Sequence, residues 1–388
     1  MREGRYDAIL LGHHIRHMKR ICIFSFYEKD GFVDDYVFYL LKELRINVDT
    51  LFIVINGDIQ KCFKDEMSSI ADTIIYRENR GFDAGAYKSV LIYHLSKEKI
   101  HEYDEVILCN NTFYGPVVSL SYILEVMEKR NCDFWGLNYV SPTVVDYMQS
   151  YFLAFREGII RSDVLYDFFR NHIDENNNDI VNDYVEFETG ITQFVVERGF
   201  SVGSFATPSI CDIYMSSNYG IKKYGVPIIK NKAVLKNNTK DNFIDAVQYV
   251  ERNTDYDINL IKNHIKRMGI AVDYNNHNLH VEEYSHNSIQ IAKDELSAVT
   301  AQYDYVYIYG AGSIARKVYR FYKLYNVKAF IISDGQEKKN AELYGIPVLF
   351  SSQVNNSNDV CIVVAMSVNN SQQIHSYIDR FNNVIYPW

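Results

Sequence analysis

The chain has 388 residues, 47% hydrophobic and 23% charged, with a net charge of −9. That length suits two or three globular domains, and the acidic balance argues against non-specific nucleic-acid binding. No apolar run approaches the length of a membrane span. The six cysteines (Cys22, Cys62, Cys109, Cys132, Cys211 and Cys361) show no Cys-x-x-Cys or zinc spacing, so they read as reduced, buried thiols of a cytosolic protein.

In chain order, Met1–His17 has an apolar core of only Ala8–Leu11, too short for a signal sequence. Residues 1–17 therefore read as a flexible extension, and His13, His14 and His17 are given no role. Ile21–Phe26 is an apolar run of the kind that forms a buried parallel strand. Asp34–Leu44 carries Val37, Leu40, Leu41 and Leu44 at helical spacing. Thr50–Ile55, ending at Asn56-Gly57, is a second strand, Cys62–Ile70 a second helix and Thr73–Tyr76 a third strand. Ala84–His94 (helix), Glu105–Cys109 (strand), Leu120–Lys129 (helix) and Asp133–Leu137 (strand) continue the alternation. The pattern predicts an α/β fold built on a doubly wound, mostly parallel sheet.

Ligands of such sheets sit outside the carboxyl ends of the strands, and two of those ends are polar. After Thr73–Tyr76 come Asn79, Arg80, Gly81, Asp83 and Gly85 within seven residues. Gly81 and Gly85 allow close backbone approach, Arg80 can fork onto a phosphate, and Asp83 can accept from sugar hydroxyls or orient Arg80. Lys88 follows on the next helix. Glu105–Cys109 ends in Asn110-Asn111-Thr112. The plainer alternative is that Asp83 and the asparagines only cap or turn the chain.

Val185–Gly199 reads as a helix with Ile191, Phe194 and Val195 on one face and Gly199 as terminator. Glu186 and Glu188 fall at its expected start, where the helix N-terminus keeps a carboxylate ionised. Lys222–Lys240 is lysine-rich: either a solvated basic loop or a surface for anionic lipid headgroups or a lipid-diphosphate acceptor. Asp241–Gly269 reads as two helices, and the polar stretch Asn275–Asn287, with His277, His280 and His286, as a linker.

Tyr303–Trp388 forms a smaller α/β unit. A strand at Tyr305–Tyr309 leads through Gly310 and Gly312 to Ala315, which opens a helix over Arg316–Tyr325; the next strand, Lys328–Ser333, ends at Asp334. This is a dinucleotide-type fingerprint with alanine in its third glycine position, in a unit too small to hold a whole dinucleotide. A ligand site, a structural unit and a partner-docking domain all fit it. The expected organisation is an extension at 1–17, a first domain at 18–240, a helical segment and linker at 241–300, and an accessory domain at 301–388.

The motifs NRGFDAGAY, DEVILCNNTFYGP, DFWGL (Asp133–Leu137) and QSYFLAF (Gln149–Phe155), in that order, resemble the rhamnan synthesis F family of bacterial glycosyltransferases. The resemblance runs from about Lys19 to Lys240 and implies a GT-A-like fold. It implies an inverting transfer of L-rhamnose from dTDP-rhamnose, or of another dTDP- or UDP-linked sugar. The acceptor would be a surface polysaccharide or a lipid-linked oligosaccharide, in the cytoplasm or at the inner membrane face. On this resemblance, Phe26 and Tyr27 stack on the nucleotide base. Asn79, Gly81, Asp83, Gly85, Lys88, Asn110, Asn111 and Thr112 hold the donor. Gln149, Ser150 and Tyr151 line the acceptor side. Glu188, favoured over Glu186, is the general base, with Gly199-Phe200 closing its helix, and Arg80 stabilises the leaving diphosphate.

Many such enzymes carry Asp-x-Asp where this chain has Asn110-Asn111-Thr112. Neutral amides are poor ligands for Mg²⁺ or Mn²⁺, so the reading is a transfer without a metal cofactor, with Mg²⁺ or Mn²⁺ as the alternative. The missing carboxylates also leave a second reading open, a non-catalytic sugar-nucleotide-binding or scaffold protein. The C-terminal unit, through Gly345-Ile346-Pro347-Val348 and Val360–Ala365, is similar to the small sugar-nucleotide-binding domain of bacterial sugar acetyltransferases.

Overall fold

The computed structural model describes residues 18–141, 145–208, 213, 216–235, 237–274, 293–322, 324–366 and 374–386. The extension at 1–17 and the linker at Asn275–Asn287 lie outside the described residues.

Seven strands make the main sheet: β1 (Arg20–Phe26), β2 (Thr50–Asn56), β3 (Thr73–Arg77), β4 (Glu105–Asn110), β6 (Phe134–Gly136), β9 (Phe152–Arg156) and β10 (Val202–Ser204). Their order is β10-β6-β9-β4-β1-β2-β3. All are parallel except β9, which runs antiparallel between β4 and β6. Helices cover both faces, so the central strands are apolar on both sides. Along β1, Cys22, Phe24 and Phe26 enter one core while Ile21 and Ile23 enter the other. Ser25 breaks that apolar run near the carboxyl end, opposite Asn110 of β4. Asn56 of β2 stands opposite Arg77 of β3. The parallel register thus gathers four polar strand ends along one edge.

The helix Asp35–Asn47 buries Val37, Leu40, Leu41 and Leu44, as its spacing predicts. The helices Asn237–Asn253 and Asn259–Arg267 join that same core through Phe243, Val247, Val250, Ile261 and Ile265. Of the shorter strands, β7 (Tyr139–Val140) pairs with β8 (Tyr147–Met148), and β5 (Phe113–Tyr114) pairs antiparallel with β11 (Ile229–Lys230). The β5–β11 pair returns the basic stretch to the end of β4. Among the described cysteines Cys62 is exposed, contrary to the expectation of buried thiols; the others are buried.

The C-terminal unit is a second sheet of β12 (Tyr305–Tyr309), β13 (Val327–Ile332), β14 (Glu342–Leu343), β15 (Ile346–Phe350), β16 (Val360–Val364) and β17 (Val384–Ile385). The order is β14-β15-β13-β12-β16-β17, parallel except for β14. Its first helix spans Ser313–Phe321, starting and ending earlier than expected. It rests on the first unit: Arg316 Nη1 lies 2.6 Å from Asp179 Oδ2 and Arg320 Nε 3.1 Å from Glu186 Oε2.

Candidate active site

A single file of hydrogen bonds crosses the carboxyl ends of β4, β1, β2 and β3. Lys230 Nζ donates to Thr112 Oγ1 at 2.6 Å, which in turn donates to Asn110 Oδ1 at 2.7 Å. Asn110 Nδ2 donates to Asp83 Oδ2 at 2.8 Å, and Ser25 Oγ donates to Asp83 Oδ1 at 2.7 Å. Asn56 Nδ2 donates to Ser25 Oγ at 3.0 Å, and Arg77 Nη1 closes the row on Asn56 Oδ1 at 2.6 Å. A cation stands at each end and a carboxylate in the middle. Each polar strand end is satisfied by its neighbour, which is what burial demands.

The backbone before Asp83 is strained. Gly81 and Phe82 both adopt positive φ, 63° and 47°. For Phe82 that costs about 1–2 kcal/mol. The pair turns the chain sharply, so that Asp83 points back at Ser25 and Asn110. A Cβ on Gly81 would come within 2.8 Å of the Glu175 backbone, and one on Gly85 within 2.6 Å of the Arg80 carbonyl.

The opposite wall is the helical run 180–196. It opens with the helix Ile180–Asp183, capped by Asp179, whose Oδ1 accepts from the Val181 and Asn182 amides at 2.9 and 3.3 Å. A π-turn at Tyr184–Thr189 follows, then the helix Gly190–Val196. π-Turns often mark functional sites because they displace one residue from the regular ladder. Here the turn carries Glu188. Ser150 donates to Glu188 Oε2 twice, from its amide at 2.8 Å and its hydroxyl at 2.6 Å. The next residue, Tyr151, takes Lys230 Nζ over its ring at 4.8 Å and accepts from the Asn110 amide at 3.3 Å. Two consecutive residues thus join the Glu188 wall to the end of β4.

Three carboxyls share this space. Burial raises the Asp83 pKa; the Ser25 hydrogen bond, Lys230, Lys232 and Asn110 pull it part of the way back, and the net shift is upward. As a residue Asp83 is only partly buried, but its carboxyl is enclosed by those partners. Asp183, 9% exposed, is pushed well above the usual carboxylate range by burial, and then by the charges of Asp83 and Glu188. Asp83 has cationic support from Lys230 and Lys232, while the charges of Asp83 and Glu188 both act to raise Asp183.

A profile of the family described as "Rhamnan synthesis protein F" (RgpF) matches residues 51–308. The chain belongs to the rhamnan synthesis F family. Virulence protein VirA of Vibrio anguillarum is 26% identical over 187 residues, which cover 48% of this chain and 59% of that protein. The chain therefore spans under two thirds of the length of that relative. A putative nucleotide-diphospho-sugar transferase from Desulfovibrio desulfuricans G20 aligns at 14% identity with a TM-score of 0.30, covering 64% of this chain and 99% of that one. Residues 1–349 of S. aureus TarS align at 11% identity with a TM-score of 0.32, covering 69% and 76%. The α/β fold of this RgpF-family chain is defined by its own strand order.

Several residues that the family resemblance assigned to the site are engaged elsewhere. Phe26 is 1% exposed and part of the core, so it cannot stack on a base; Tyr27 is 44% exposed and can. Arg80 is exposed and paired with Glu78 at 2.9 Å, and Arg77 takes the inward place. Lys88 is spent on the Ile173 carbonyl at 2.7 Å. Gly81 and Gly85 make room for protein backbone rather than for ligand. Asn79 is partly buried beside this loop. Asn111 clamps the Tyr27 backbone in both directions, at 3.4 and 3.1 Å. Gln149 is buried and accepts from Asn138 at 2.7 Å.

Glu188 lies mid-run rather than at a helix start, because the helix begins four residues before the π-turn. Its support is Ser150, not the helix N-terminus. Within the basic stretch Lys222 pairs with Asp245, and Lys240 reaches the Ala271 carbonyl. Ala315 is core, and Asp334 accepts from Ser351 and Ser352.

The β4 end does not suit a divalent metal. Asn110 Oδ1 already accepts from Thr112, Asn111 Oδ1 from Tyr27, and both Asp83 oxygens are taken. Among the described residues no group of three His, Cys, Asp or Glu is placed to hold a metal ion. The sequence reading missed Ser25, Asn56, Arg77, Asp183 and Lys230. A signal existed for the first three: each is a polar residue at or near the end of an apolar strand.

Proposed function

We propose that this protein is a nucleotide-sugar-dependent glycosyltransferase that moves L-rhamnose from dTDP-rhamnose, with inversion, onto a bacterial surface polysaccharide or its lipid-linked precursor. Membership of the rhamnan synthesis F family supports the reaction class. The observation that carries the reading is the Ser150-Tyr151 link, which sets an anchored carboxylate, Glu188, beside the polar strand ends. On this reading the donor lies across Tyr27, Asp83 and Thr112, and the acceptor enters beside Ser150. Glu188 takes the acceptor proton as the acceptor oxygen attacks the anomeric carbon. The Ser150 bonds fix the carboxylate's aim. No described helix is long and apolar enough to cross a membrane, and a lipid-linked acceptor would be met at the inner membrane face.

The experiment is Glu188→Gln, which keeps shape but cannot take a full proton. Turnover should fall by roughly 10²–10⁴ with dTDP-rhamnose affinity nearly unchanged. Glu186→Gln should keep turnover, because Glu186 is turned towards Arg320. Normal turnover in Glu188→Gln with loss in Glu186→Gln would identify the other glutamate as the base. The rival, a sugar-nucleotide-binding scaffold, is favoured by the engagement of the Asn110 and Asn111 side chains with protein partners. It predicts donor binding without turnover in the unmodified protein.

A further inference from the structure

We propose that Lys230, backed by Lys232, is the cation that binds the donor's diphosphate at the carboxyl end of β4, in the place where a metal ion would otherwise serve. This rests on the reading of the site as a nucleotide-sugar site. Lys230 is far from that strand in sequence, but the β5–β11 pairing sets it opposite Phe113. Asn231 locks the approach: its amide donates to the Thr112 carbonyl at 3.2 Å and its Nδ2 to the Asn111 carbonyl at 3.1 Å. The Lys230 ammonium is then held between Thr112 Oγ1 and the face of Tyr151, a position that a ring favours for a cation. Both lysines lie close enough to Asp83 to oppose the rise of its pKa. The ammonium carries three donors and no acceptor, so its contacts can rearrange onto a phosphate oxygen while its charge is kept.

Arg80 and Lys88 stand elsewhere: Arg80 is exposed beside Glu78, and Lys88 reaches the Ile173 carbonyl. In the transfer step the acceptor oxygen forms its bond to the anomeric carbon. The bond from that carbon to the diphosphate oxygen breaks, and its electron pair stays on the departing nucleoside diphosphate. The acceptor proton goes to Glu188. Lys230 remains protonated throughout and neutralises the added negative charge, a stabilisation that grows as the bond breaks.

The test is calorimetric binding of dTDP, UDP, inorganic pyrophosphate and thymidine to the full chain in EDTA, repeated with Mn²⁺. Lys230→Met should weaken dTDP and pyrophosphate binding roughly 10- to 100-fold and leave thymidine unaffected. Lys230→Arg should retain most of the affinity, and Lys222→Met, away from the site, all of it. Lys230→Gln replaces the methionine variant if the latter does not fold. Undiminished dTDP binding in Lys230→Met overturns the proposal and leaves the transferase reading standing. So does binding that requires Mn²⁺ and ignores Lys230. If neither nucleotide nor pyrophosphate binds the unmodified protein under either condition, both readings fall.

Discussion

Burial and two neighbouring carboxylates hold the Asp183 pKa well above its ordinary value. Its carboxyl is buried, feels Asp83 and Glu188, and gains no hydrogen bond or ion pair among the described residues. Its folded pKa is raised above the unfolded value of about 3.9. The charge-dependent part of its cost vanishes while it is protonated in both states. Stability is lost as pH rises from about 4 through the raised folded pKa, and the loss is complete above it. Asp183→Asn removes that dependence. The variant should therefore be more stable than the parent at neutral pH, on the order of 1–2 kcal/mol, and the gap should close towards pH 4. Denaturant melts between pH 4 and 8 measure this, and a pH-independent difference would contradict it. The sequence showed Asp183 as one acid among many; only the fold reveals that it is buried beside two others. Glu188 was expected at a helix start, but it lies within a π-turn and accepts from Ser150.

At the scale of elements, the run 179–189 is held from outside. Asp179 caps its first turn with one oxygen and takes Arg316 of the C-terminal unit with the other, while Arg320 holds Glu186 within the π-turn. Arg316 is almost fully buried and Asp179 is partly exposed. Removing the arginine leaves a carboxylate that water can reach, so the loss falls below that of a fully buried pair, about 1–3 kcal/mol. Arg316→Ala should lower the melting temperature. It should also lower kcat several-fold, because Glu188 sits on the segment that loosens, while the KM for the donor changes little. A rise in donor KM at constant kcat would show that the C-terminal unit acts on donor binding instead. Strand and helix positions were legible because the alternation of apolar runs is strong. The π-turn was not, since its residues fit an ordinary helical period, and the Arg316–Asp179 contact spans over a hundred residues.

For the whole molecule, the two parallel-rich sheets follow from strand–helix alternation and were foreseeable; the strand order, with β9 antiparallel between β4 and β6, was not. The strand-end row was half legible. Asn110 and Asp83 stand in recognisable motifs, but Lys230 reaches them only through the β5–β11 pairing, a long-range contact without a local signal. Two glycine-bearing strand ends, one in each sheet, are candidates for the proposed nucleotide site: the edge from Ser25 to Lys230 and the loop Gly310–Gly312. In the latter Gly310 adopts φ 117°, and a Cβ there would meet the Ala365 carbonyl at 2.7 Å, so that glycine too makes room for protein. Amide hydrogen exchange of the full chain, with and without dTDP-rhamnose, separates the two directly. The account predicts added protection in residues 25–28, 79–88, 110–114 and 228–232, with Gly310–Asp334 unchanged. Protection confined to Gly310–Asp334, or none anywhere at saturating donor, would contradict it.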